Sequence, residues 1–205
     1  MSNTAIILAG GFSKRFGLDK GILKIAGISL MNHVVKKVNS IVDEIIIVTN
    51  SNKKIELYSK EINEFKVDFF LDIYKEIGPL AGALTGLKNS QGDYSLIVPF
   101  DTPFLSKKIL KLLFKLCEEK SAVIPRWPNG HIEPLHSVYH TKEAFNAAFD
   151  AINNNEKKVR AIIQRLQKVS YISTEILRLY DPELLTFFNI NTPSDLELAK
   201  KEFKK

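Results

Sequence analysis

Short apolar runs punctuate the chain, and longer stretches with helical periodicity separate them. Ala5-Ile6-Ile7-Leu8, Ile45-Ile46-Ile47-Val48 and the Tyr94–Pro99 run are nearly continuous in apolar character instead of alternating. Continuous β-branched runs read as strands buried on both faces, the habit of parallel sheets covered by helices. Val67 to Leu71, Ala122 to Pro125 and Val169 to Ile172 read as further strands. Leu30, Met31, Val34, Val35 and Val38 fall on one face of a helix that Ser29 can cap. On that helix His33 has polar neighbours and reads as a surface residue. Further helices are expected over 52–64, 78–90 and 106–119, and over 141–165 with a break at Asn153-Asn154-Asn155. Thr192-Pro193 opens the last helix, with proline at its first position. Strand and helix alternate with crossovers long enough for βαβ units. The pattern predicts an α/β protein, a three-layer α/β/α sandwich on a mostly parallel sheet. Gly82 and Gly86 would weaken the helix after Gly78-Pro79 unless close packing on the sheet required them.

Composition narrows this picture modestly. The chain has 205 residues, 45% of them hydrophobic and 25% charged, enough for one domain spanning 1–205 with a real core. Net charge is +6, which suits polyphosphate substrates as well as nucleic acid. The cations are spread along the chain and form no stripe interleaved with aromatics, so a nucleic-acid partner is not expected. Cys117 is the single cysteine, which excludes an internal disulfide, and its helical spacing places it in the core. No apolar run approaches the length of a membrane span, and a strand follows the N-terminus directly. A soluble, cytoplasmic protein is expected.

The candidate chemistry gathers where apolar runs end. Leu8-Ala9-Gly10-Gly11 leads into Ser13-Lys14-Arg15-Phe16-Gly17-Leu18-Asp19-Lys20. Glycines after a strand let backbone amides approach an anion, and adjacent cations favour a polyphosphate. Neither Gly-x-x-x-x-Gly-Lys-Ser/Thr nor Gly-x-Gly-x-x-Gly occurs there, so Walker A and dinucleotide loops are excluded. Asn50 follows the second strand, as a nucleoside contact or as a helix cap. Asp72 follows the third. Asp101, after Tyr94–Pro99, is placed to ligate Mg²⁺ beside a triphosphate. The irregular stretch from Arg126 to Tyr139 holds the only tryptophan, Trp127, and suits a flat heterocycle. His131, His136 and His140 match no zinc spacing.

Gly-Gly-x-Ser-x-Arg-x-Gly-x-Asp-Lys resembles the signature of the nucleotidyltransferases typified by molybdenum cofactor guanylyltransferase, with Phe16 where methionine is usual. Gly78-Pro79-Leu80-Ala81-Gly82, Asp101-Thr102-Pro103 and Asn189-Ile190-Asn191-Thr192-Pro193-Ser194-Asp195-Leu196 resemble further segments of that family, in the right order. The resemblance implies a Rossmann-like sheet of the nucleotide-diphospho-sugar transferase type. It implies transfer of GMP from GTP to the phosphate of molybdopterin, with release of pyrophosphate and with Mg²⁺ as cofactor. Leu8, Ala9, Gly10, Gly11, Asn50 and Asp72 would bind GTP. Lys20, Arg15 and Asp101 would act in catalysis, with Lys20 stabilising charge on the α-phosphate and pyrophosphate. Asp101 would hold the metal, and Asn189 or Asn191 would meet the metal or the acceptor. Glu133 to Tyr139 resembles the strand that faces the acceptor in the guanylyltransferases. Other proteins of cofactor biosynthesis, or acceptor proteins, are implied as partners. Two alternatives stay open: a CTP-dependent cytidylyltransferase on the same pterin or another phosphorylated acceptor, and a nucleotide-binding module without catalysis.

Overall fold

A computed structural model describes residues 1–10, 19–72, 74 and 77–204. In chain order the first half comprises β1 (Asn3–Leu8), β2 (Lys24–Ile25), β3 (Ile28–Ser29), α1 (Leu30–Val38), β4 (Glu44–Thr49), α2 (Asn52–Glu61), β5 (Asp68–Leu71), α3 (Pro79–Asn89) and β6 (Tyr94–Pro99). The second half comprises α4 (Lys107–Cys117), β7 (Ala122–Arg126), β8 (Ser137–His140), α5 (Thr141–Asn153), α6 (Arg160–Ile163), β9 (Val169–Ser173), α7 (Thr174–Leu177) and α8 (Pro193–Glu202).

Seven strands form one sheet in the order β5-β4-β1-β6-β8-β7-β9. β8 pairs antiparallel with both β6 and β7, and the other pairs are parallel. β1 lies at the centre, with Ile6 opposite Ile46 on one side and Ile97 on the other. Its side chains alternate between two cores. Ala5 and Ile7 join Met31, Val34, Ile47, Tyr58 and Ile109 on one face. Ile6 and Leu8 join Val48, Leu80, Leu84, Ala148 and Ile162 on the other. Helices α1, α2 and α4 thus cover one face and α3, α5 and α6 the other, as the doubly buried runs predicted.

Local chemistry sets the helix ends. The hydroxyls of Ser29, Ser51 and Ser106 accept the N–H groups of Asn32, Lys54 and Ile109. Thr192 and Asp195 form a capping box, with Pro193 at the first helical position. A methyl at Gly86 would stand 2.3 Å from Ile6 Cγ2, so α3 packs this closely on β1 only because that position has no side chain. His33 is buried, contrary to the surface position expected: its Nε2 lies 2.9 Å from the Ile25 carbonyl and its ring packs on Phe203. The β2–β3 hairpin, turning at Ala26-Gly27, supplies that carbonyl, and the pattern of α1 alone gave no sign of it. Burial holds the His33 imidazole below its ordinary pKa, aided by Lys37 and Lys36, although the Ile25 carbonyl pulls the other way.

Candidate active site

The carboxyl ends of β1, β4, β5 and β6 lie side by side, so Leu8-Ala9-Gly10, Asn50, Asp72 and Asp101 gather at one rim of the sheet. That is where open α/β sheets bind ligands. Gly11 and Arg15 lie outside the described residues, as do Lys14 and Gly17 of the same loop.

Lys20 and Asp101 form the charged centre. Lys20 Nζ stands 2.7 Å from Asp101 Oδ2, with side chains 11% and 12% exposed. The same amine reaches Asn191 Oδ1 at 3.3 Å and lies 5.8 Å from the centre of the Phe100 ring. Lys20 is therefore a buried lysine held by a distant carboxylate, not a surface lysine beside its neighbour Asp19. Asp19 turns away: it accepts from the Gly21 N–H at 2.8 Å and the Tyr58 hydroxyl at 2.6 Å, and Lys54 approaches it at 3.7 Å. An ammonium this buried needs a partner, and Asp101 provides one.

The chain returns to Asp101 from far along the sequence. The Ile190 N–H donates to the Asp101 carbonyl at 3.0 Å. Asp195 accepts from the Asn191 and Thr192 N–H groups at 2.9 and 2.8 Å. Slight burial opposes ionisation of Asp195, but these N–H groups and the Thr192 hydroxyl hold its carboxyl below the usual range. Of the two asparagines, Asn191 is the one brought onto Lys20; Asn189 is half-buried two residues earlier.

Asn50 does not cap α2, since Ser51 does. Its amide donates to the Gly10 carbonyl at 2.7 Å instead. Lys54 Nζ lies 3.2 Å from the Ala9 carbonyl. Asp72 continues the β5 ladder, its N–H on the Thr49 carbonyl at 2.7 Å and its Oδ1 accepting from Tyr74 N at 3.1 Å. Burial pushes the Asp72 carboxyl above its ordinary pKa, though the Tyr74 N–H draws it part of the way back. Gly82 is adjacent: a methyl there would lie 3.3 Å from Leu8 Cδ2 and 3.9 Å from Asp72 Oδ2.

A second cluster lies beside the first, ahead of the antiparallel strand β8. Trp127 Nε1 donates to Glu133 Oε1 at 2.7 Å, and Phe187 packs edgewise on both Trp127 and His136. His136 is buried, its Nδ1 3.8 Å from Glu133 Oε2, and its ring nitrogens have no hydrogen-bond partner among the described residues. Burial disfavours the ionised Glu133, yet His136, the Trp127 N–H and His131 hold its carboxyl below the usual range. Among the described residues there is no group of three or more His, Cys, Asp or Glu that could hold a metal.

Residues 5–169 match the MobA-like NTP transferase domain. The chain belongs to the MobA-like NTP transferase family. Relatives named probable molybdenum cofactor guanylyltransferase are 33% identical over 198 residues in Methanosarcina mazei, covering 95% of this chain and 88% of that one. In Natranaerobius thermophilus the identity is 34%, over 97% of this chain and 95% of the relative. Among solved structures, molybdopterin-guanine dinucleotide biosynthesis protein A from Archaeoglobus fulgidus superposes with a TM-score of 0.82 at 29% identity, covering 98% of each chain. A 4-diphosphocytidyl-2C-methyl-D-erythritol synthase from Anaerococcus prevotii reaches 0.75 over 100% of this chain and 96% of that one, at 15% identity, a likeness of fold alone. The protein is a nucleotidyltransferase by family. The family resemblance read from the sequence holds.

Tyr58, Lys54 and Phe100 were not among the residues picked from the sequence. Tyr58 and Lys54 stand four apart on one face of α2, the spacing of helical neighbours, and that was the available signal.

Proposed function

We propose that the protein transfers GMP from GTP to the phosphate of molybdopterin, in molybdenum cofactor biosynthesis in the cytoplasm. The buried Lys20–Asp101 pair, closed by Asn191 at the carboxyl end of β6, carries this reading. An oxygen of the acceptor phosphate attacks the α-phosphorus of GTP. The bond to the oxygen bridging the α- and β-phosphorus breaks, and pyrophosphate leaves. No covalent intermediate with the protein is needed; positioning and neutralisation of charge suffice. The amides at Gly10 and Gly11, with Arg15 and Lys20, hold the triphosphate. Leu8, Ala9, Asn50 and Asp72 form the nucleoside side, where a carboxylate can accept from the N1–H and exocyclic amine of guanine. The aromatic and acidic cluster of Trp127, Glu133 and Phe187 forms the acceptor side.

The donor set suits Mg²⁺. Asp101 offers a carboxylate and Asn191 an amide oxygen, both within reach of one ammonium. Mg²⁺ prefers such hard oxygens, one or two from the protein and the rest from phosphates and water. When bound, Mg²⁺ would neutralise charge on the phosphate oxygens; Asp101 and Asn191 would hold it, with Asn189 nearby. In this reading Lys20 orients the Asp101 carboxylate and shares its charge with the phosphates.

The test is purified protein with molybdopterin, Mg²⁺ and GTP, CTP or ATP in turn, scoring pyrophosphate and dinucleotide product. GTP-dependent release of both is expected. A clear CTP preference would replace this reading with the cytidylyltransferase. Nucleotide binding without turnover would leave a sensor.

A further inference from the structure

Lys54 ties together two points of the backbone that lie far apart along the phosphate loop. Its amine lies 3.2 Å from the Ala9 carbonyl, where the loop leaves β1, and 3.7 Å from Asp19 Oδ2, where the loop ends. Asp19 also accepts from the Tyr58 hydroxyl and the Gly21 N–H. Tyr58 is fully buried, and its ring closes the space under Gly21, where a methyl would lie 2.4 Å from ring carbon Cε1. Gly21 is therefore held twice, by a hydrogen bond through Asp19 and by contact with the ring. Lys20 is the next residue back, and its amine is the one placed on Asp101.

We infer that Lys54, Asp19 and Tyr58 form a clasp on α2 that fixes both ends of the phosphate loop and aims Lys20 at the reacting phosphates. The inference rests on the nucleotidyl-transfer reading above, and none of the three residues need touch substrate. At the near end, a trans peptide points its N–H opposite its C=O. With the Ala9 carbonyl held on the α2 side by Lys54, the Gly10 N–H is turned to the other side. At the far end, the Tyr58 hydroxyl fixes the carboxylate that caps the Lys20–Ile22 turn. The two ends act on different quantities. Amides of the near end bind triphosphate in ground and transition states alike, whereas Lys20 works hardest as the bond breaks.

Tyr58→Phe keeps the ring beneath Gly21 and removes only the hydroxyl. We expect kcat to fall about tenfold, with KM for GTP within about twofold and the melting temperature nearly unchanged. In a Lys20→Ala background the same substitution should alter kcat by less than about twofold, because the group it aims is gone. Lys54→Met should weaken GTP binding about fivefold or more by calorimetry without acceptor, and Lys54→Arg should recover part of it. Asp19→Asn covers the case in which Tyr58→Phe does not fold, with the same dependence on Lys20. Wild-type kcat in Tyr58→Phe overturns the clasp, as do losses equally large with and without Lys20, or unaltered GTP binding in Lys54→Met. Wild-type protein that neither binds nor turns over GTP would instead remove the nucleotidyl-transfer reading, and the clasp with it.

Discussion

The two ends of the sheet differ in kind. At the carboxyl end an ammonium and a carboxylate are buried against each other, and loops from both ends of the sequence converge on them. The opposite end, where Tyr94 begins β6 and His140 ends β8, opens into a groove of about 990 Å³. Lys120, Lys168, Glu119, Glu143 and Asp150 line it, all exposed, so both signs of charge are present there. By volume alone such a groove would be a candidate binding site. By chemistry it is not: its charges are in water, where they interact weakly and cost nothing to leave alone. Charge held out of water must be matched by structure, as Lys20 and Asp101 match each other at the carboxyl end.

The largest effect should come from Asp101→Asn, which keeps the shape and removes the charge that faces Lys20 and would bind Mg²⁺. Transfer should be abolished while the circular dichroism of the fold persists; near-normal turnover at saturating Mg²⁺ would remove Asp101 from the metal role. Lys20→Ala should lower the rate of transfer about a hundredfold or more. It should also cost about 3 kcal/mol of stability in chemical denaturation, because it leaves a buried carboxylate unpaired. A loss of stability without a loss of rate would make the pair merely structural.

Asp72 gives a subtler test. Asp72→Asn should lower kcat/KM for GTP about tenfold or more and narrow its advantage over ATP. Because burial raises the Asp72 pKa, its ionised form is lost at a higher pH than for an ordinary carboxylate. Binding of guanine through that form should therefore weaken as pH falls through the raised value, and the Asn variant should lack this limb in a pH profile of kcat/KM. The stability effect has the opposite sense: ionising Asp72 costs the fold, a cost present above the folded pKa and absent below the unfolded one. The smallest effect belongs to the groove. Lys168→Ser and Glu143→Gln should leave turnover within about twofold and stability within about 0.5 kcal/mol. A large loss of turnover in either would reverse the comparison between the two ends.

Much of this was legible in the chain because it is written locally. The run Tyr94–Pro99 became β6 with those bounds, and Ser29 and Thr192 cap the helices they precede. Gly86 was marked as a helix glycine in need of a close neighbour, and Ile6 is that neighbour. Asp101 and Lys20 could each be named from a motif. That one would bond the other is a fact about residues 81 positions apart, which no periodicity encodes. Asp19, next to Lys20 in sequence, is instead engaged by the Gly21 N–H, the Tyr58 hydroxyl and Lys54. His33 failed for a related reason: its own helix offers it polar neighbours, while the hairpin and Phe203 that bury it come from elsewhere. The choice of Asn50 over Ser51 as cap was undecidable locally, since both residue types cap helices well.

The dependence of Asp101 and Lys20 on Ile190, Asn191 and Asp195 also has a consequence in time. On the ribosome, Asp101 emerges roughly ninety residues before Asp195, an interval of about 5–20 s at ordinary rates of synthesis. Throughout it, the first two members of the charged centre exist without the segment that closes it. A nascent chain of this protein can thus build its sheet from β1 to β6 early, but it acquires a finished centre only when α8 begins to form, and activity should rise late and abruptly during synthesis.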